Sequence, residues 1–93
     1  MNREARGLPY HAEFSDEFRE LLQDLLKRNR VLHSRLAREI RKIIANPGVG
    51  KPLRHSLKFY RRTHVGSFVL LYEIVGRIVR FLDFDHHDKI YKK

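Results

Sequence analysis

The chain has no cysteine. That absence removes disulfides, thiolate metal sites and cysteine nucleophiles, and it fits a reducing cytoplasm. No apolar run approaches the roughly 20 residues that cross a bilayer, so no membrane partner is expected. The opening "MNREARGLPY" has charges but no apolar segment behind them, and it is expected not to be a secretory signal. Internal repeats and low-complexity stretches are missing as well. Acidic residues are scarce over one long window. From Lys27 to Arg62 the only acid is Glu39, amid Arg28, Arg30, Arg35, Arg38, Arg41, Lys42, Lys51, Arg54 and others.

What is there supports one packed domain over residues 1–93. A hydrophobic fraction of 42% is too high for a disordered chain, and 93 residues leave no room for a second useful core. Twenty Lys and Arg against 11 Asp and Glu give a net charge of +9. An excess this concentrated attracts polyanions, chiefly nucleic acid or the ribosome.

The pattern predicts strand, two helices, then three meandering strands. Residues 8–14 read as a first strand. Ser15 is placed to cap a helix whose first turn carries Asp16 and Glu17. Phe18, Leu21, Leu22, Leu25 and Leu26 follow helical spacing, and Asn29 stops the run. A second helix is predicted from Val31 to Ala45. Its apolar stripe is Leu32, Leu36, Ile40, Ile43 and Ile44, with Arg35, Arg38 and Lys42 on the opposite face. "NPGVGKP" breaks that helix. Two hairpins follow, around Gly66-Ser67 and around Val75-Gly76. The expected class is α+β, a mainly antiparallel sheet with a helical hairpin on one face.

The Gly66-Ser67 turn predicts the pairs Val65 with Phe68, His64 with Val69, Arg62 with Leu71 and Tyr60 with Glu73. The second turn predicts Tyr72 with Val79 and Leu71 with Arg80. One face then gathers Phe59, Val65, Phe68, Leu70, Tyr72, Ile74, Val79 and Phe81, together with Arg61 near its edge. The other presents Arg62, His64, Arg80 and, with strand continuation, His86. Such a face is either an ordinary wet side of a sheet or the floor of a site.

Histidine titrates near neutrality, and two of them can divide base and acid roles. RNA carries its own nucleophile, the 2′-hydroxyl. Its scission asks for a base, donors to the phosphorane and an acid for the leaving oxygen. His64 and His87 are of the right type for the proton transfers. Arg62 and Arg80 suit the phosphate, and Tyr91 in the tail can supply a proton, a hydrogen bond or a stacking surface. No cofactor is called for. A zinc site from His86, His87 and the nearby aspartates is not expected, because adjacent histidines on a strand point to opposite sides.

"KPLRHSLKFYRRTHVGSFVLLYEI" and "FDHHDKIYKK" resemble the RelE/ParE superfamily of type II toxins. The shared pattern is Arg-x-x-Val-Gly-x-x-x-x-x-Tyr, here Arg62 to Tyr72, followed by a histidine-bearing tail ending in Tyr91. "Tyr-Arg-x-x-His-Val", here Tyr60 to Val65, is similar to the YafQ-like branch. That resemblance implies a toxin that cleaves mRNA on the ribosome, restrained by a cognate antitoxin. It implies His64 and His87 as catalytic residues, with Tyr91 in place of a terminal aromatic. Lys51 stands where the branch has a further histidine. Val69 stands where RelE-type members carry arginine, and Ser67-Phe68 where the branch has an acidic-aromatic pair. Lys51, Arg54, Arg62, Arg80 and His86 are the expected RNA or phosphate contacts. Two other readings stay open: a ParE-like inhibitor of a topoisomerase, and a catalytically weak RNA-binding member.

Overall fold

A computed structural model describes residues 9–54 and 59–90. The elements are β1 (His11–Phe14), α1 (Asp16–Arg28), α2 (Arg30–Ala45), a 3-10 turn (Pro47–Val49), β2 (Lys51–Pro52), β3 (Tyr60–Val65), β4 (Phe68–Val75), β5 (Ile78–His86) and α3 (His87–Ile90). The five strands form one sheet in the order β1-β5-β4-β3-β2. β1 runs parallel to β5, and every other pairing is antiparallel. The class is the expected one, α+β.

Local chemistry sets the helix ends. The Ser15 hydroxyl accepts the Phe18 N–H at 3.1 Å and opens α1. Asn29 ends α1 and starts α2. Its N–H donates to the Leu25 carbonyl, and its side chain accepts the Leu32 N–H at 3.1 Å. One residue therefore caps two helices, which allows so short a connection. Phe18, Leu32, Leu36, Ile40 and Ile43 then bury against Val65, Leu70, Tyr72, Val79, Phe81 and Phe84 of the sheet. Each such side chain contributes about 1.5–3 kcal/mol by leaving water. The rings of Phe14, Phe18 and Phe81 stack at 5.5–6.1 Å.

The β3–β4 register matches the expected pairs from Tyr60–Glu73 to Val65–Phe68. The second hairpin does not. Its turn is Gly76-Arg77, with Val75 opposite Ile78. Glycine takes the first turn position in both hairpins, with φ of +62° at Gly66 and +60° at Gly76, a conformation that L side chains disfavour. Farther along β5 the register slips. Tyr72 faces Phe81 but Leu71 faces Asp83, which leaves Leu82 as an extra residue. This bulge turns every later side chain to the other face. Phe84 thereby joins the helix-side core, stacked 5.1 Å from Phe68.

One element, β2, was not foreseen, while the short helix α3 is one of the two forms open to the tail. β2 adds a fifth, two-residue edge strand, with Lys51 opposite Arg62 and Pro52 opposite Arg61. α3 packs against β4 and β5. Val69 and Ile90 are buried as well, and neither belongs to the helix-side core.

Candidate functional site

The sheet arranges the face away from α1 and α2 in rows. Glu13, Arg80, Glu73 and Tyr60 form one row. Asp83, Leu71, Arg62 and Lys51 form the next, and Asp85, Val69 and His64 the third. The predicted Arg62, His64 and Arg80 do share this face, but they do not act alike. Arg80 is held between two carboxylates, at 2.7 Å from Glu13 and 2.8 Å from Glu73. The hydrogen bonds it donates to Glu13 and Glu73 raise its pKa further. Its charge is matched within the sheet, so it is a cross-strand tie more than a free phosphate donor.

Arg62 is different. Its Nε is buried and has no hydrogen-bond partner among the described residues, and the neighbouring Thr63 Oγ1 is in the same state. Buried donors are seldom left unmade, because each costs about 1–3 kcal/mol. Both residues border a cavity of about 340 Å³, walled by Glu39, Lys42, Val49, Lys51, Arg62, Thr63 and His64. It lies where β2 begins, between the β3 residues beyond Arg62 and the last turns of α2. Lys42 contacts the single acid there, Glu39, at 3.7 Å. Lys51, Arg62 and exposed His64 complete a cationic rim. Such a rim suits an anion, and bidentate arginine suits a phosphate in particular.

Lys42 and Glu39 were not among the expected contacts. The signal was available, since Lys42 lies in the basic stripe of α2 one turn before Pro47. Without β2 there was no reason to bring that stripe to Lys51 and Arg62. Arg61 lies on the helix side, as its register required. It donates to the Gly48 and Gly50 carbonyls at 3.4 and 2.5 Å, which fixes the loop that carries Val49.

The remaining expected residues fall elsewhere. Arg54 is exposed past the end of β2 and is not part of the cavity wall. His86 does not join Arg62 and His64. The Leu82 bulge turns it to the opposite face, opposite Phe68, with the two rings 5.8 Å apart edge to face. His87 opens α3, and its N–H donates to the Ser67 carbonyl at 3.0 Å. That bond brings it to the β3–β4 turn, the end of the sheet where His64 also lies. Tyr91 falls outside the described residues.

The comparisons agree with this architecture. The family model for the ParE toxin of the parDE type II toxin–antitoxin system matches residues 10–91. The toxin candidate RelE4 of Methanocaldococcus jannaschii is 38% identical over 87 residues, covering 90% of this chain and 93% of that protein. The RelBE2 toxin–antitoxin complex of Mycobacterium tuberculosis contains a chain that superposes with a TM-score of 0.68 at 30% identity, covering 86% of this chain and all of that one. The DinJ–YafQ complex of E. coli gives 0.67 at 21% identity, covering 88% and 98%, a likeness of fold. A strand–helix–helix–sheet chain of this charge, matched along nearly its whole length, belongs to the ParE toxin family within the RelE/ParE superfamily and is a type II toxin–antitoxin toxin.

Proposed function

We propose that this toxin acts in the cytoplasm as a ribosome-dependent mRNA endoribonuclease. The observation that carries the reading is the meeting of His64, Arg62 and Lys51 on one cationic cavity. An RNA phosphate on that rim would be held by Arg62 and Lys51. His64 would take the 2′-hydroxyl proton, and the 2′-oxygen would attack the adjacent phosphorus. The 5′-oxygen would leave with a proton from His87 or Tyr91, giving a cyclic phosphate and a 5′-hydroxyl. No metal takes part in these steps.

The cognate antitoxin would lay an acidic, partly disordered segment over the basic surface. Support comes from the relatives seen in complexes, RelBE2 and DinJ–YafQ. Antitoxin and RNA would then compete, and simultaneous tight binding of both would count against this arrangement.

The test is induced expression with primer extension on a translated message, beside cleavage assays with and without ribosomes. His64→Gln and His87→Gln should abolish scission while the thermal transition stays in place. Full toxicity in both variants would remove these histidines from the mechanism. A second reading, a ParE-like topoisomerase inhibitor, is favoured by the family match. It predicts DNA-damage signalling with intact mRNA.

A further inference from the structure

The end of β5 gathers three metal-ligating side chains outside the cavity described above. Donor atoms of His86, His87 and Asp88 all lie within 4.8 Å of one another. Adjacent histidines on a strand diverge, but β5 ends at His86 and α3 begins at His87. The change from strand to helix between them turns both rings to one side, with centroids 4.7 Å apart. Asp88 stands between them. Its carboxylate is 2.9 Å from His87 Nδ1 and 3.6 Å from His86 Nδ1. The Asp88 N–H donates to His86 Nδ1 at 3.2 Å.

The frame around the cluster is already ordered. The His86 N–H is bonded to Asp85 Oδ1 at 2.7 Å, and its ring packs edge-on against Phe68. The His87 N–H is held by Ser67, and Ile90 anchors α3 in a buried contact. Little backbone order has to be created on binding. Zinc holds nitrogen and oxygen donors at about 2.0–2.2 Å in a tetrahedron, with neighbouring donors about 3.3 Å apart. His87 and Asp88 are exposed and can close the remaining gap by side-chain rotation. Two imidazoles and one carboxylate are a borderline donor set that suits zinc and excludes calcium or magnesium. Three protein ligands leave a fourth position for water or an anionic oxygen.

We propose that His86, His87 and Asp88 form an open zinc site. The site shares His87 with the cleavage chemistry proposed above, but it stands whether or not that reading holds. Where His87 does serve as the acid, bound zinc would withdraw it, so zinc would act as an inhibitor.

The test is a titration of the tag-free full chain with zinc against a chromophoric chelator, with cobalt as a spectroscopic probe of four-coordination. One zinc per chain is expected. His87→Gln and Asp88→Asn should each weaken binding tenfold or more, while His33→Gln on α2 leaves it unchanged. Zinc X-ray absorption should count two imidazole nitrogens. Absent binding, or equal affinity in all four proteins, would overturn the proposal and would identify the cluster as a surface His–Asp pair. The readout is metal binding, so it is independent of toxicity.

Discussion

The hydroxyl of Tyr72 donates to the carbonyl of Pro47 at 2.6 Å, across 25 residues of sequence. The same oxygen accepts the Gly50 N–H at 2.9 Å. A fully buried phenol thus closes the 3-10 turn after α2 onto β4 and fixes one wall of the cavity. Tyr72→Phe would leave a buried carbonyl and a buried N–H unmade, at a cost of about 1–3 kcal/mol each at most. Thermal unfolding should show the loss. Burial also raises the Tyr72 pKa above 10.0. A raised pKa contributes stability that is present below pH 10 and fades as pH climbs through the folded value. The wild type should therefore lose its advantage over Tyr72→Phe in alkaline solution. An unchanged gap would contradict this account.

Gly50 is the counterpart of that contact. A Cβ there would collide with the Tyr72 hydroxyl and lie 2.9 Å from the ring carbons Cε1 and Cζ. Gly50→Ala should destabilise the fold. Combined with Tyr72→Phe it should cost less than the two changes added together, because both disturb one contact. A double-mutant cycle of denaturant midpoints measures the coupling, and strict additivity would refute it.

Arg62 and Arg80 separate the cationic cavity from the ion-paired row. Arg62→Gln should weaken RNA binding across sequences and lower the salt slope by about one. Arg80→Gln should change that slope far less, because Glu13 and Glu73 already engage its guanidinium. Filter binding over a salt series decides it, and equal slopes for the two variants would contradict the assignment.

Val69 tests what the resemblance suggested. Its side chain is fully buried, so arginine has no room to reach solvent from that position. Val69→Arg should cost several kcal/mol through an uncompensated buried charge and displace α3, with no gain in RNA cleavage. A stable variant with raised activity would show instead that α3 yields readily.

Phe84 and Leu82 test the bulge. Phe84 is 4% exposed and stacks on Phe68, so Phe84→Ala should cost about 3–5 kcal/mol. Leu82 is only half-buried, and Leu82→Ala should cost clearly less. Equal losses in chemical denaturation would argue against the two side chains being so differently placed.

Much of the fold was legible because it rests on local rules. Ser15, Asn29 and the Gly66-Ser67 turn state their roles within a few residues, and the β3–β4 register follows from one tight turn. The second hairpin misled because glycine fits either turn position by sequence, and the bulge is set by packing. Phe81 and Phe84 both need the core, yet they are three residues apart and cannot share a face without an extra residue between them. His86 was misplaced for that reason. β2 stayed hidden because two residues carry no periodicity. The cavity it helps to build, with Lys42 beside Lys51, was hidden with it.

Leu82 makes length, more than identity, the guarded property of β5. Upstream of it a side chain's face is read in one phase, and downstream in the other. Substitutions at this position can be absorbed by the half-open surface around it. Removing or doubling the residue would act as a frameshift of sidedness: Phe84 would leave the core, and His86 would lose its place against Phe68 and its approach to His87. Variation in this family should therefore tolerate changes of letter at Leu82 far better than changes of count.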